Sequence, residues 1–353
     1  MPRVEDLETP IVTVDLDIMA ANIRKMQAYC DAHGLRFRPH IKTHKTPEIG
    51  RLQLEAGAQG ITCQKLGEAE VFADAGFDDI FIPYNLIGPA KLARLTALAR
   101  RCRVSVAVDS APVAQGISEA AAAAGLEVPL LIECDTGAGR TGVQTPAQAL
   151  VLAQEIDRIP GVRFAGLMTF PTNLETTPPF LAEAVALLGA AGLEAETVSG
   201  GGTPQTWRVH EIPQITEHRA GTYVFNDSNT LAAGTATLDE CAMRVLMTVV
   251  SRPTAERAIL DGGSKTLSAD RLLWRDATYG TVVEYPEAVI YGYSEEHANV
   301  DVSACVRKPV VGERVTVIPN HCCTVANLHN ELLGVRGGEV ELTWRVRARG
   351  LVR

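Results

Sequence analysis

Short apolar runs alternate with amphipathic helical patterns over roughly the first two thirds of the chain. After a strand at 9–16 and a helix, the pattern predicts strands at 35–41, 60–64, 79–85, 104–109, 128–135, 163–170, 196–201 and 215–225. Helices are predicted at 47–56, 67–75, 89–100, 111–124, 146–158 and 179–190, whereas the seventh connection, 203–212, is short. Continuous apolar strands that alternate with helices are typical of a parallel sheet covered by helices. Eight such units predict an α/β fold, a TIM-type (β/α)8 barrel.

The alternative is an open doubly wound sheet, but no Gly-x-Gly-x-x-Gly follows the first strand. After about residue 231 the pattern changes, and strand-like runs at 244–250, 257–260, 288–293, 314–318 and 340–347 are separated by turn residues. We therefore predict two domains. The barrel occupies 12–235, and a β-rich domain is formed by 236–353 together with 1–11.

Composition narrows the class of protein. The chain has 353 residues, 46% of them hydrophobic, and this is enough to bury a large core. The net charge of −9 and the absence of a Lys- and Arg-rich run argue against nucleic acid or an anionic membrane as partner. The apolar stretches are too short to cross a bilayer, and the first ten residues are acidic with no signal-like region. We expect a cytoplasmic protein whose eight cysteines are reduced thiols.

Polar residues collect where the predicted barrel strands end, which is the end that carries the active site in barrels of this type. The stretch Ser199-Gly200-Gly201-Gly202-Thr203 follows the seventh strand. Glycines let backbone N–H groups approach an oxyanion, and the flanking hydroxyls add donors. A glycine run is often only a tight turn, but its place after the seventh strand favours a phosphate site.

Lys42 follows the first barrel strand within Arg38-Pro39-His40-Ile41-Lys42-Thr43-His44-Lys45. A lysine amine becomes nucleophilic when burial or neighbouring cations disfavour its protonated form. Arg38, His40, His44 and Lys45 would have this effect on Lys42 if they lie close to it. Together with a phosphate site across the barrel mouth, this favours Lys42 as the covalent anchor of pyridoxal 5′-phosphate (PLP), and Lys45 as a structural residue.

A second candidate site is Pro319-Asn320-His321-Cys322-Cys323-Thr324 in the β-rich part. On an extended segment, residues two apart point the same way, so His321 and Cys323 would share a face and Cys322 would point away. A histidine and a thiolate suit zinc, and two protein ligands leave positions open for water or substrate. The alternative is a buried histidine beside two apolar cysteines.

Taken together, six motifs resemble the D-threonine aldolase and D-serine dehydratase family, on the alanine-racemase-type fold, and the resemblance covers nearly the whole chain. The motifs are Arg-Pro-His-x-Lys-x-x-Lys at 38–45, Cys-Gln-Lys at 63–65, Asp-x-Gly-x-x-Arg at 135–140, Gly-Gly-Gly-Thr at 200–203, Ala-Gly-x-Tyr-x-Phe-x-Asp at 220–227 and Pro-Asn-His-x-Cys at 319–323.

The resemblance implies a PLP enzyme with a divalent metal, Zn or Mn, that works as a homodimer with shared active sites on a small D-3-hydroxy amino acid. By position it implies Lys42 as the PLP lysine and His321 and Cys323 as the metal pair, with all three catalytic. The other expected cofactor-binding residues are His40, Gln64, Arg140, Thr169, Ser199, Gly201, Gly202, Thr203, Tyr223 and Asp227.

Within this family the motifs are mixed. Cys63-Gln64-Lys65, Asn327-Leu328-His329 and Ala348-Arg349-Gly350 resemble D-threonine aldolases, whereas a His-x-Cys metal pair resembles the dehydratases. We predict a lyase that cleaves D-threonine-like substrates to glycine and an aldehyde. The alternative is a D-serine or D-3-hydroxyaspartate dehydratase that releases a 2-oxo acid and ammonia. The remaining alternatives for a protein of this fold are an amino-acid racemase and a non-catalytic PLP carrier.

Overall fold

The structure, a computed structural model, describes residues 2–272 and 278–353, and they form two compact units. The barrel unit comprises Met26–Lys42, Ile49–Gly221 and Leu351–Arg353, and the β unit comprises Met1–Lys25, Thr43–Glu48 and Thr222–Gly350. The domain limits expected from the sequence, 12–235 and 236–353 with 1–11, stay predictions. Among the described residues, no helix combines the length and the apolar character needed to cross a membrane.

The helices and strands of the described residues follow in chain order. The strands are β1 Ile11–Asp15, β2 Arg36–Phe37, β3 Ile61–Thr62, β4 Asp79–Ile82, β5 Arg103–Val108, β6 Val128–Cys134, β7 Val162–Thr169, β8 Thr197–Gly200, β9 Glu217–His218, β10 Met243–Thr254, β11 Arg257–Leu260, β12 Thr281–Val282, β13 Val289–Tyr293, β14 Ala298–Asp301, β15 Arg314–Ile318, β16 Glu331–Arg336 and β17 Glu339–Arg345. The α-helices are α1 Leu16–Ala32, α2 Pro47–Glu55, α3 Leu66–Asp74, α4 Pro89–Ala99, α5 Ala111–Ala123, α6 Pro146–Arg158, α7 Thr177–Ala190, α8 Ser228–Ala232, α9 Ser264–Leu267 and α10 Cys322–Leu328.

The barrel unit carries one sheet in which each strand lies beside the next along the chain, in the order β2-β9-β8-β7-β6-β5-β4-β3. All its pairings are parallel, and a parallel bridge between His40 and Thr62 joins the two ends of this order. Phe81, Leu131 and Met168 belong to its buried apolar cluster. The TIM-type barrel predicted from the sequence, followed by a β-rich part, is confirmed, and the doubly wound alternative is wrong.

Several barrel strands are shorter than predicted, among them those predicted at 35–41, 60–64, 79–85 and 215–225. The run at 215–225 forms a ladder only at Glu217–His218, and Thr222–Val224 is a 3-10 turn. Its neighbour β8 ends at Gly200, and Gly201 and Gly202 then turn with φ of +146° and +138°. Residues after His218 therefore have no extended strand beside them with which to continue the β-ladder. The first strand likewise ends before Pro39, which has no backbone N–H to donate.

Arg38 lies inside the barrel rather than at its surface. Its Nε donates to Glu217 Oε2 at 2.8 Å, and its Nη1 donates to Asp79 Oδ1 at 2.6 Å. Gly60 makes room for it, because a Cβ there would lie 2.4 Å from Arg38 Nη1. Two carboxylates therefore balance the Arg38 charge, which was expected from the sequence to act on Lys42.

The seventh connection is short, as predicted, and consists of the 3-10 turns Thr203–Gln205 and Val209–Glu211. Two contacts hold it to the barrel. Thr206 Oγ1 lies 3.3 Å from Nε2 of the fully buried His218, and the Tyr29 hydroxyl lies 2.8 Å from His210 Nδ1. Burial lowers the pKa of His218 to about 3, so this histidine is neutral at physiological pH.

The β unit is built on a nine-stranded sheet of mixed direction, with the order β13-β14-β11-β10-β1-β16-β17, while β15 pairs with β10 and β12. The N-terminal strand β1 is central to it, antiparallel to β10 and parallel to β16. The five strands predicted after residue 231 are present, whereas β12, β14 and β16 were missed. None of the eight cysteines, all of which are described, forms a disulfide in the structure.

Gly166 in β7 cannot be replaced without cost. Its φ is +142°, and an added Cβ would lie 1.8 Å from the Thr197 carbonyl oxygen. We expect Gly166→Ala to lower the free energy of unfolding in urea by ~4 kcal/mol or more, as for other changes that force the backbone apart. Gly125→Ala is the matched control, since φ is +67° there and nothing lies within 4 Å. It should cost about 1–2 kcal/mol, and equal losses in the two variants would contradict this account.

His218 predicts a pH dependence of stability. The pKa of His218 falls from about 6.5 in the unfolded chain to about 3 in the fold. Its stabilising contribution is therefore complete above pH 6.5 and is lost as the pH falls towards 3. His218→Gln keeps a partner for Thr206 but does not titrate. Below pH 6.5 the free energy of unfolding of the wild type should fall faster than that of the variant, by about 1.4 kcal/mol per pH unit. Parallel urea-unfolding results at pH 7, 6 and 5 would refute this.

Candidate active site

Lys42 lies in the 3-10 turn Ile41–Thr43, which follows β2 at the C-terminal end of the barrel. Its Nζ lies 5.6 Å from the centre of the Phe170 ring, and the Arg140 guanidinium lies 5.0 Å from the same centre. Phe170 follows β7 and Arg140 follows β6, so three strand ends bring these groups together. The apolar ring between two cations supplies a flat surface beside the predicted cofactor lysine.

His40 and Gln64 form one contact of this site. Gln64 Oε1 lies 3.0 Å from His40 Nε2, and because the amide oxygen can only accept, the imidazole donates. Burial and the nearby positive charges of Lys42 and Arg219 lower the pKa of His40 well below its usual range. His40 is therefore a neutral, hydrogen-bonded neighbour of Lys42 rather than a second cation.

Arg140 ends a loop that Asp135 shapes. Asp135 Oδ1 accepts backbone N–H groups from Gly137 at 2.9 Å and Ala138 at 2.8 Å. Although partial burial opposes the change, the hydrogen bonds from Gly137 and Gly139 lower the pKa of Asp135. Arg140 Nη2 lies 3.4 Å from the buried Glu133 carboxylate. The loop is thus held in one turn, with the Arg140 head half exposed and directed by a carboxylate.

The glycine-rich stretch follows a backbone path that favours glycine at 201 and 202. A Cβ on Gly201 would lie 2.0 Å from the Arg219 carbonyl oxygen, and one on Gly202 would lie 2.9 Å from Pro171 Cβ. Glycine at 201 and 202 therefore lets this segment take a path that larger residues would block. Beside it, the buried hydroxyl of Thr172 has no partner among the described residues, and its backbone N–H donates to the Gly201 carbonyl.

Ser199 and Thr169 are buried, but protein groups already occupy their hydroxyls. Ser199 Oγ donates to Glu217 Oε1 at 2.6 Å and accepts from Arg219 Nε at 2.8 Å. The Thr169 hydroxyl lies 2.7 Å from that of Thr136, and the Thr169 carbonyl accepts from Arg219 Nη2. The structure thus gives both residues contacts with Arg219.

Arg219 is a site residue that the sequence reasoning missed. It is fully buried, its guanidinium lies 5.7 Å from the Phe81 ring, and its charge acts on His40. Despite the attraction of Glu217, burial lowers the pKa of Arg219 to about 10. The signal in the sequence was Glu217-His218-Arg219, three polar residues within a strand-like run whose flanks are apolar.

These barrel residues fit PLP. The glycine loop and the Thr172 hydroxyl offer hydrogen bonds to a phosphate, Arg140 and Arg219 are cations for anionic oxygens, and Lys42 is an amine for the aldehyde. Tyr223 and Asp227, the other predicted cofactor contacts, belong to the β unit. Tyr223 is buried in the 3-10 turn Thr222–Val224.

Asp227 has a capping role in the β unit. It is fully buried, and burial raises its pKa to about 6. Its Oδ1 accepts the Thr230 N–H that opens α8, and its Oδ2 accepts the Cys322 N–H that opens α10, each at 3.0 Å. One carboxylate therefore joins the starts of two helices, which is a stabilising use of a negative charge. Its cofactor contact stays a prediction.

His321 and Cys323 lie together, although not on the extended segment predicted from the sequence, an expectation that was wrong. His321 is the extended residue before α10, and Cys323 lies in the first turn of that helix, because Asp227 caps Cys322. Cys322 is fully buried and Cys323 is partly exposed. The Thr43 hydroxyl lies 3.2 Å from Cys323 Sγ, and that of Thr222 lies 3.9 Å from it.

The side chains of His321 and Cys323 shift each other's pKa in opposite directions. The negative charge of Cys323 raises the pKa of His321 to about 11, and a hydrogen bond to Asp270 acts in the same direction. A hydrogen bond from Cys322 and the positive charge of His321 hold the pKa of Cys323 well below its usual value. The thiolate is the form of cysteine that binds metals.

This pair fits an open metal site but not a closed one. Within residues 2–272 and 278–353, no three His, Cys, Asp or Glu side chains are arranged to hold one ion. One nitrogen and one thiolate sulfur are a donor set that zinc accepts, with water or substrate in the remaining positions. Asp270, 2.8 Å from His321 Nδ1, is the second residue that the sequence reasoning missed. It lies 51 residues away in the chain and no motif includes it.

A cavity of about 640 Å³ lies at the opposite end of the barrel, where the strands begin. Its lining includes ion pairs, among them Arg38 with Glu217 and Arg163 with Glu196. It holds none of the residues predicted for chemistry, so the strand C-termini remain the candidate site of the barrel unit.

Comparison with known proteins agrees with this arrangement. The "Alanine racemase, N-terminal domain" family model matches residues 14–229, and the "Putative serine dehydratase domain" model matches residues 242–335. A D-threonine aldolase from Arthrobacter sp. is 37% identical over 98% of this chain and 94% of its own length.

Two solved structures cover nearly the whole chain. D-threonine aldolase from Filomicrobium marinum has a TM-score of 0.90 at 32% identity, over 99% of this chain and 97% of its own. D-threo-3-hydroxyaspartate dehydratase from Delftia sp. HT23 has a TM-score of 0.88 at 30% identity, over 98% and 99%. A cysteine-to-alanine mutant of a D-threo-3-hydroxyaspartate dehydratase is described as metal-free. The chain belongs to the D-threonine aldolase and D-serine dehydratase family, on the alanine-racemase-type fold.

Proposed function

We propose that this protein is a PLP- and metal-dependent D-threonine aldolase that cleaves D-3-hydroxy amino acids to glycine and an aldehyde. The coarser assignment, a PLP lyase acting on small D-hydroxy amino acids, follows from the family. The observation that carries the finer proposal is the contact between His321 and Cys323 in the β unit, a nitrogen and a sulfur that suit a divalent metal. The barrel unit of the same chain carries Lys42 as the candidate amine. Similarity to the two aldolases supports the choice of reaction.

The barrel residues would hold the cofactor. Lys42 would anchor it covalently, Gly201, Gly202 and Thr203 would bind its phosphate, and Arg140 would bind its ring oxygen. PLP, when bound, supplies an electron sink for negative charge at the substrate Cα. His40, kept neutral by burial, would fill the space near Lys42 without adding a charge. Arg219 would give the buried end of the site a fixed positive charge, held by Ser199 and the Thr169 carbonyl.

His321 and Cys323 would hold the divalent ion, Zn or Mn. When bound, such a metal supplies a Lewis acid that lowers the pKa of a substrate hydroxyl. The low pKa of the Cys323 thiol keeps the sulfur ready to bind without a strong base nearby. Tyr223 and Asp227 as cofactor contacts, and a homodimer with shared active sites, remain part of the proposal.

The dehydratase alternative rests on one specific observation. The metal pair here contains Cys323, and a cysteine-to-alanine mutant of a D-threo-3-hydroxyaspartate dehydratase is described as metal-free. In that reaction Lys42 would take the Cα proton and the substrate hydroxyl would leave. The same residues therefore support either bond cleavage, and products decide between them.

The product test uses D-threonine and D-serine with and without a chelator. We expect D-threonine to give glycine and acetaldehyde in equal amounts. We also expect the chelator to abolish this activity and added Zn²⁺ or Mn²⁺ to restore it, because the metal lowers the pKa of the hydroxyl. Chromatography of amino acids and an aldehyde assay measure the products. Ammonia and a 2-oxo acid in place of glycine would establish the dehydratase, and activity unchanged by the chelator would remove the metal from the proposal.

The anchoring lysine can be identified directly. Borohydride reduction of the PLP-loaded protein, followed by peptide mass spectrometry, should place the cofactor mass on Lys42. Lys42→Ala should lose both the label and the activity, because no other amine anchors PLP in the proposal. Lys45→Arg is the matched control, since Lys45 is buried in the β unit and donates to Asn327 Oδ1 at 2.9 Å. A label on Lys45 in the wild type would overturn the assignment.

A further inference from the structure

Asp270 and His321 make a directed contact in the β unit. Asp270 Oδ2 lies 2.8 Å from His321 Nδ1. An imidazole has two nitrogens on opposite edges of the ring, so a carboxylate at Nδ1 leaves Nε2 as the nitrogen that can bind a metal. His321 is also hydrogen bonded to Cys323, the other residue of the proposed metal pair.

The residues around His321 hold the Asp270 loop in place. Asn320, which precedes His321, donates through Nδ2 to the Asp270 carbonyl at 3.0 Å. Thr324 donates through Oγ1 to Ser268 Oγ at 3.0 Å, and Ser268 has an unusual φ of +65°. The Asp270 N–H donates to Ser268 Oγ at 3.2 Å. The segment that carries both proposed ligands therefore also fixes the carboxylate, from positions on either side of His321.

Stability does not explain this contact. The side chains of Asp270 and His321 are 43% and 39% exposed, and ion pairs at such positions add little to the free energy of folding. The strained Ser268 backbone works against stability. A built loop around a half-exposed pair is instead typical of a group that orients a functional side chain.

The two proposed ligands are supported by groups of different charge. Cys323 has the neutral hydroxyls of Thr43 and Thr222 near its sulfur, whereas His321 has a carboxylate on its Nδ1. A carboxylate that accepts the Nδ1 proton fixes the tautomer and makes the opposite nitrogen a stronger donor. A hydroxyl beside a thiolate has no comparable negative charge. His321 is thus the proposed ligand that has a carboxylate on its other ring nitrogen.

We propose that Asp270 is a positioning residue that holds His321 with Nε2 directed to a divalent metal and strengthens it as a donor. Asp270 does not bind the ion, because it occupies the opposite edge of the imidazole, and no three-residue ligand group exists among the described residues. This inference rests on the proposed metal pair.

The test measures metal affinity rather than turnover. PLP-loaded full-length protein is stripped of metal with a chelator, dialysed, and titrated with Zn²⁺ in competition with a chromophoric chelator. Asp270→Asn keeps the size of the side chain and removes its charge, and Asp270→Ala removes the contact. Both variants should bind Zn²⁺ about 10- to 100-fold more weakly than the wild type, the usual cost of losing such a partner.

Two controls make the result interpretable. Asp301→Asn removes another carboxylate of the β unit, which accepts the Ser303 N–H. Asp301 is distant in the sequence from both proposed ligands, so this variant should leave the Zn²⁺ affinity unchanged. Asp270→Glu restores the charge and should recover part of the lost affinity. Circular dichroism and thermal unfolding should be the same for Asp270→Asn and the wild type, because the pair is half exposed.

The outcomes separate this inference from the proposed function. If the Asp270 variants bind Zn²⁺ like the wild type while His321→Ala and Cys323→Ala lose it, the positioning role is wrong and the metal pair stands. If His321→Ala and Cys323→Ala also bind normally, the metal pair itself is wrong and the inference falls with it. Weaker binding in both Asp270 variants, with Asp301→Asn unchanged and Asp270→Glu partly recovered, supports the role of Asp270.

Discussion

The barrel depends on the ion pairs of one largely enclosed arginine, Arg38. Arg38 joins Glu217 at the start of β9 and Asp79 at the start of β4, so a residue just after β2 is tied to strands on both sides of it. Breaking a buried ion pair by removing one partner costs about 3–5 kcal/mol, because the other charge is left uncompensated. A glycine at position 60 is required beside it, since any Cβ would meet the guanidinium. The positions of β4 and β9 and the cluster of ion pairs that Arg38 makes with Asp79 and Glu217 therefore depend on each other.

The same cluster reaches the candidate active site. Glu217 uses its second carboxylate oxygen to accept from Ser199, and Ser199 accepts from Arg219. A continuous path of hydrogen bonds thus runs from the ion pairs that tie the barrel strands to a fully buried guanidinium among the cofactor candidates. This explains why Ser199 is buried with both hydroxyl functions used. It also explains how a cation can be kept in an apolar setting next to a neutral His40.

In the β unit, a helix start brings the two proposed metal ligands together. Asp227 caps both α8 and α10, and the cap on Cys322 sets where the second helix begins. His321 therefore remains extended while Cys323 enters the helix, and the two side chains meet in a hydrogen bond. The capping contacts of Asp227 account for its burial. The chemistry of the pair follows from its place at a helix start rather than from strand alternation.

Periodicity alone determined the barrel, because parallel strands buried on both faces produce continuous apolar runs and eight such runs alternate with helices. Glycine and lysine at the ends of these runs predict a PLP site, and the assignments of Lys42, Gly201 and Gly202 rest on local motifs. Only the tertiary structure revealed Arg219, Glu217 and Asp270, because their roles depend on hydrogen bonds to partners that periodicity and local motifs do not connect. It also decided that 322–328 is a helix, since the cap that starts it comes from Asp227, 95 residues earlier. A local sequence pattern reflects the backbone conformation that its residues prefer. Charge pairing and capping depend instead on residues that are distant in the chain and come close only in the folded protein.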